Sequence, residues 1–199
     1  MYKTSLLAAA TAALVTFGTA ISAAGKAEMF DVDPSHSQIV FSYEHLGYSK
    51  TFGMLSGFNG EIAFNAEDPA ASAVSVSMPV LAMFTGWEDR TKHFMSEDFF
   101  GASEGDLITF ASTGIEVTGE KTAKITGDLT MNGTTKAITL DAELKQASPY
   151  PFGPKEGTPT MGFYATTTVL RSDYGLGAFA PAVSDEVEIM ISLEAAKAK

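Results

Sequence analysis

The 199-residue chain contains no cysteine. That excludes disulfide staples, thiolate metal sites, a cysteine nucleophile and a lipid-modified cysteine at a cleavage site. Basic residues are also scarce, with 13 Lys and Arg against 24 Asp and Glu and a formal charge of -11. Neutralising phosphates takes clustered Lys and Arg, so this balance argues against nucleic-acid binding and against charge-driven attachment to anionic lipid. Repeats, coiled-coil heptads and a second-domain linker are missing as well. There is no glycine-rich phosphate loop between a strand and a helix.

What is present begins with a leader. Lys3, the apolar run Leu6 to Ala20 and the small residues of ISAAG read as a secretory signal peptide over 1–24, cut after Ala24. As a membrane anchor the run is weak, being short, alanine-rich and without a basic far flank. Removing 1–24 deletes one lysine and no acid, leaving 12 basic against 24 acidic side chains and a charge of -12. The expected product is a soluble exported protein with one domain over 25–199. A chain of about 175 residues can bury enough surface to stand without disulfides.

From residue 28 onward apolar and polar residues alternate. Ile39, Phe41, Tyr43 and His45 share one parity, and Phe58, Gly60, Ile62 and Phe64 another. Val74, Val76 and Met78 continue the pattern, followed by Ile125 to Met131, Ile138 to Leu144 and Val187 to Leu193. A period of two means strands with one wet and one dry face, which belong to antiparallel sheets. Eight such runs are expected, at 37–46, 50–65, 72–80, 106–118, 122–131, 134–145, 160–170 and 185–194. The glycine-rich run 50–65 is expected to bend or bulge. Asn132-Gly133 predicts a tight hairpin.

Two segments break the period. TGWEDRTKHFMSEDFF predicts a short amphipathic helix of about three turns, with Thr85 and Glu88 at capping-box spacing and His93 paired with Asp89. SPYPFGPKEGTP, with four prolines, predicts a loop of about a dozen residues. The fold class is therefore all-β: eight antiparallel strands, with one short amphipathic helix, that can close into a barrel and so remove their exposed edges. A barrel of eight strands is either filled with side chains or just wide enough for one small ligand. Thirteen Phe and Trp87 follow the leader, and both readings stand at this point.

Candidate catalytic and metal groups are thin. His36 and His45, nine apart, point to opposite faces of a continuous strand, and no short histidine pair provides zinc ligands. GASEG around Ser103 matches a nucleophile string, but it runs from helix to strand, the reverse of the order that gives it meaning. Neither a catalytic residue nor a metal site is expected. Arg171, with Asp173 two residues on, reads either as an Arg–Asp clasp closing the barrel or as a guanidinium facing a ligand head at the mouth.

Several stretches in order resemble the YceI-like family of bacterial secreted proteins, also called polyisoprenoid-binding and lipocalin-like. They include DPSHSQIVFSYEHLG, TFGMLSGFNGEIAF, DRTKHFMSEDFF, ITGDLTMNGTTKAITLDAEL, MGFYATTTVLRSDYGLG and VSDEVEIMISLEA, spanning nearly the whole mature chain. Phe30 fills the place of an aromatic before the first Asp. Tyr174 stands for a more usual Phe, and Glu44 replaces a basic residue before the histidine. The resemblance implies an eight-stranded antiparallel, lipocalin-like barrel with one short amphipathic helix and a tunnel for a long amphiphile such as a polyprenyl lipid, a quinone or a fatty amide, a periplasmic location and no enzymatic activity. No cofactor is expected beyond such a bound isoprenoid-like lipid or quinone. The expected tunnel lining is Phe41, Tyr43, Phe58, Ile62, Phe64, Val76, Met78, Trp87, Phe94, Phe110, Phe163 and Ile189. Their shared parity follows from the alternation, but not which face is concave. Arg90, His93 and Arg171 are the residues expected at the mouth or head group. The partner is expected to be a hydrophobic small-molecule lipid, and no nucleic acid. Transient contact with the membrane or membrane redox proteins, and a homodimer, stay open. The alternatives are an interaction or stress-response module with a filled core and, third, a secreted hydrolase.

Overall fold

The computed structural model describes residues 26–199, so the expected leader lies outside the described residues. The strands are β1 (Glu28–Val32), β2 (Gln38–His45), β3 (Ser49–Leu55), β4 (Asn59–Phe64), β5 (Ala73–Pro79) and β6 (Met83–Phe84). After the helix α1 (Glu88–Met95) come β7 (Leu107–Val117), β8 (Thr122–Met131), β9 (Thr134–Pro149), β10 (Pro159–Leu170) and β11 (Glu186–Lys197). All pairings are antiparallel, and β1 meets β11 to close the sheet on itself.

These segments make a closed eight-strand barrel because three strand positions are each built from two pieces. β1 and β2 lie end to end along β11, with Val32 opposite Ala195 and Gln38 opposite Ser192, and residues 33–37 loop out between them. β3 and β4 form the second broken position, so the expected run 50–65 does bend. The bend lies at Gly57, whose φ of 75° favours a residue without Cβ. β5 and β6 form the third, separated by a 3-10 turn at Val80–Ala82. The remaining positions, β7 to β11, are continuous. β1 and β6 add to the eight expected runs; they carry five and two residues, too few for alternation to register.

The lower half of the barrel, containing β1 and β4, is hydrogen-bonded all the way round. In the upper half, containing β2, β3 and β6, the order runs out at β6. There the β5–β7 ladder reaches Pro79 opposite Leu107 while β6 turns away to pair with β3. Asn132 and Gly133 form the expected hairpin, both at positive φ (50° and 70°), the geometry that matches strand twist.

The helix departs from expectation in its start and length. It spans eight residues, about two turns, with Trp87 as N-cap and no side-chain cap. Glu88 is thus the first helical residue and cannot reach back as a capping box requires. Thr85 instead hydrogen-bonds Trp87 O at 3.0 Å and the Thr91 hydroxyl at 2.9 Å, bracing the entry turn. Glu88 and Asp89 in the first turn and Lys92 and His93 in the last suit the helix dipole. The proline-rich loop is also shorter than expected, because β9 runs to Pro149 and pairs it with Pro159. That loop lies at the lower end, where Lys155 binds Asp33 at 2.6 Å.

Candidate functional site

The barrel is not filled. Its upper half holds a cavity of about 870 Å³, and its lower half a second of about 200 Å³, each open at one end. The concave face is the one carrying the aromatic parity. Phe41, Tyr43, Met78, Trp87, Phe94 and Ile189 line the upper cavity. Ile62, Phe64 and Phe163 line the lower one. Phe58, Val76 and Phe110 line both and stand between them. Each of the twelve residues named from parity thus borders one cavity or the other. Close packing puts two rings flat against the wall, over strand positions that lack a side chain. A Cβ on Gly53 would sit 2.2 Å from the Phe41 ring, and one on Gly127 2.4 Å from the Phe110 ring.

The mouth is made by segments with no strand pattern. Helix α1, the turn after it and residues 176–183 gather there through rings. Phe94 packs on Tyr43 at 6.0 Å and on Phe99 at 5.2 Å, and Phe99 meets Phe179 at 6.0 Å. His93 lies edge-on to Phe99 at 5.1 Å. Leu176, Phe179 and Val183 border the upper cavity, and the sequence carries no periodic signal for them. Phe99 and Phe100 are legible only as the apolar pair of EDFF.

Polar groups border the cavity mainly at this end: His45, Asp89, Arg90, His93 and Arg171. Arg90 donates from Nη1 to Thr85 O at 3.0 Å and lies 5.8 Å over the Trp87 ring. His93 pairs with Asp98 at 3.0 Å, not with Asp89, which instead lies 3.9 Å from Lys92. The turn after α1 brings Asp98 closer than one helical turn brings Asp89.

Arg171 is buried at 7% exposure and makes no clasp with Asp173. Asp173 faces Lys136 at 3.9 Å. The Arg171 guanidinium donates from Nε to Ser184 O at 2.8 Å, from Nη1 to Ala178 O at 2.7 Å and to Leu176 O, and from Nη2 to Val183 O at 2.7 Å. Four of its five N–H groups therefore hold the 176–184 segment against the barrel, leaving one for anything in the cavity. Burial pulls its pKa down, and the nearby Asp185 charge opposes that. Lys50 and Lys92 lie off the cavity wall, bound to Glu188 and Glu88 at 2.7 Å each.

The remaining candidates lie elsewhere. Ser103 donates from both N and Oγ to Asp106, at 2.7 and 2.9 Å, which makes it a turn residue. Asp33, His36 and Glu194 offer ligand atoms within 4.8 Å of one another, but Lys155 already places its ammonium against Asp33. The Tyr174 hydroxyl is enclosed without a protein hydrogen-bond partner, and burial raises its pKa.

Fold and cavity together define a lipocalin-like barrel: a closed antiparallel wall around a mostly apolar interior that opens beside a helix. Residues 30–195 match the model of the YceI-like domain, and the chain belongs to the YceI-like family. It is 36% identical over 191 residues to a UPF0312 protein of Ectopseudomonas mendocina (strain ymp), covering 95% of this chain and 98% of that one. A UPF0312 protein of Pseudomonas putida (strain GB-1) is 34% identical, with the same coverage. Among solved structures, BcnA of Burkholderia cenocepacia superposes with a TM-score of 0.71 at 23% identity, over 82% of this chain and 99% of that one. The Campylobacter jejuni YceI protein gives 0.69 at 26% identity, over 78% and 90%. A protein described as a polyisoprenoid binding domain from Saccharophagus degradans gives 0.65 at 12% identity, over 87% and 100%, a likeness of fold.

Proposed function

We propose that this protein is a periplasmic holder and carrier of a long-chain amphiphilic lipid of the isoprenoid type, taken into the barrel tail first. The observation that carries the reading is the cavity of about 870 Å³, apolar along its walls and polar at its mouth. That volume suits a ligand of drug size or larger. The Saccharophagus degradans neighbour, described as polyisoprenoid-binding, supports the same class of ligand. The reading needs no catalytic group: burying about ten methylenes contributes roughly 8 kcal/mol, near a micromolar constant. Such a lipid otherwise sits in a membrane, so its transfer into the barrel gains little net free energy. That balance suits reversible carriage.

A neutral head, such as a quinone or prenyl alcohol, fits better than a pyrophosphate. Arg171 has one N–H left, Arg90 is the one further guanidinium at the mouth and is drawn to Thr85 O and the Trp87 ring, Lys50 and Lys92 are paired outside the wall, and the chain is strongly acidic. The filled-core alternative is disfavoured by the cavity, and the hydrolase by the Ser103–Asp106 turn. The test is native mass spectrometry of protein taken gently from the periplasm, followed by organic extraction. A discrete adduct that extracts as a neutral isoprenoid is expected. A clean apo mass, unchanged after incubation with quinones and polyprenols, would sink the carrier and turn attention to protein partners.

A further inference from the structure

The two cavities meet at three residues. Phe58 follows the Gly57 bend, and Val76 on β5 and Phe110 on β7 are direct cross-strand partners. All three are buried, at 4%, 9% and 6% exposure. Both wall residues back onto glycine. The Phe110 ring lies over Gly127, and Val76 faces Gly60, where a Cβ would sit 2.7 Å from Val76 Cα. The partition is therefore an apolar layer of side chains that borders both cavities. One of its two rings, Phe110, is held there by packing alone, since a phenyl ring carries no hydrogen-bonding group.

We propose that Phe58, Val76 and Phe110 form a chain-length gauge, a deepening that rests on the carrier reading above. Tails that end in the upper chamber leave the partition in place. Longer tails displace the Phe110 ring and put their terminal isoprene in the lower chamber. Volumes set the threshold. Taking water's share of its liquid, about 30 Å³, for each heavy atom, the upper chamber takes roughly 30 heavy atoms and the lower roughly 7 more. Farnesol and geranylgeraniol fit above the partition. Heptaprenol needs both chambers, and solanesol overfills them, leaving its excess at the mouth. For scale, a cavity of about 150 Å³ accepts one benzene, so 200 Å³ holds about one isoprene unit.

The isoleucines divide cleanly between the chambers, which makes the gauge directly readable. Ile39, Ile108, Ile138 and Ile189 border the upper one, and Ile62, Ile115, Ile125 and Ile191 the lower. The experiment follows their methyl resonances in the intact mature protein during titration with farnesol, geranylgeraniol, heptaprenol and solanesol. Affinity is read in parallel from Trp87, the sole tryptophan, at the mouth. The two shorter alcohols are expected to shift Ile39 and Ile189 and leave the lower set in place, whereas the two longer ones shift both. In Phe110→Ala the shorter alcohols also reach the lower methyls. Heptaprenol there binds roughly three- to tenfold tighter than to wild type, the gain from no longer turning one packed ring.

Lower methyls that respond to farnesol in the wild type would overturn the gauge, as would an unchanged length dependence in Phe110→Ala. Should that variant fail to fold, Val76→Ala opens the other side of the same layer and carries the same expectations. A wild type that takes up none of the four alcohols removes the carrier reading itself, and that outcome differs from binding without length discrimination.

Discussion

The two halves of this barrel are held together by different forces. In the lower half every strand has two hydrogen-bonded neighbours, and Phe30, Val32, Ile62, Leu193 and Ala195 fill most of the interior. In the upper half the ladder ends at β6, and the mouth is completed by rings packed at a tilt and by one guanidinium that gathers four carbonyls. A ladder yields only by losing several backbone hydrogen bonds together. Side-chain contacts can separate singly, each for a modest cost. The difference teaches where the wall yields most readily: beside α1, along the stretch that is packed and not hydrogen-bonded.

The sharpest way to break that contrast is Arg171→Ala. Removing a buried cation from four carbonyls is expected to cost about 3–5 kcal/mol in urea unfolding. Amide exchange should speed up in residues 176–184 ahead of the rest of the chain. Arg171→Lys should recover little, because an ammonium cannot reproduce the fork of donors. A variant as stable as wild type, with slow exchange in that segment, would mean the upper half has another fastening.

A paired substitution sharpens the comparison further. Phe30→Ala empties some of the closed ring and is expected to cost about 3–5 kcal/mol. Phe99→Ala removes a half-buried ring of the mouth and is expected to cost about 1 kcal/mol, with faster exchange in α1. Equal costs would dissolve the distinction between ladder and lid.

An effect smaller than those of Arg171→Ala and Phe30→Ala concerns the polar latch of the lower half. Burial would raise the Asp33 carboxyl, but hydrogen bonds from His36, Lys155 and Ser35 outweigh it and hold the group far below the usual carboxylate range. Its contribution is therefore present above the unfolded value of about 3.9 and lost as pH falls toward the folded one. The His36 imidazole is shifted up by its hydrogen bond to Asp33 and by the Asp33 and Glu194 charges. Its contribution is present below about 6.5 and lost as pH rises through the folded value. Asp33→Asn should remove both limbs from the stability–pH curve. At neutral pH it should cost about 1–2 kcal/mol, since Lys155 and His36 are half exposed and screened. A curve unchanged in shape would show that the latch contributes nothing to the lower half.

Much of the wall was legible because a pleat imposes its parity on each neighbour in turn. Ile39, Phe41 and Tyr43 had to share a face whatever the rest of the chain did, and Asn132-Gly133 had to turn tightly. The mouth was far less legible. Arg171 reads first as a clasp with Asp173 and only second as a guanidinium facing a ligand, yet its real partners are carbonyls of a segment with no period at all. His93 found Asp98 across a turn and not Asp89 along the helix, because the turn's path is set by what Phe94 and Phe99 pack against. The capping box failed for a local reason, since Thr85 lies two residues before the N-cap and is engaged by Thr91.

By itself, then, the sequence determined an acidic chain of antiparallel strands with one aromatic face, since alternation depends only on adjacent residues. The tertiary structure alone decided that the aromatic face is concave, that three strand positions are broken, and that the bore is left partly empty and divided at Phe58, Val76 and Phe110. Those depend on distances between residues far apart in the chain, and a cavity is a property of the space between strands that no single strand encodes.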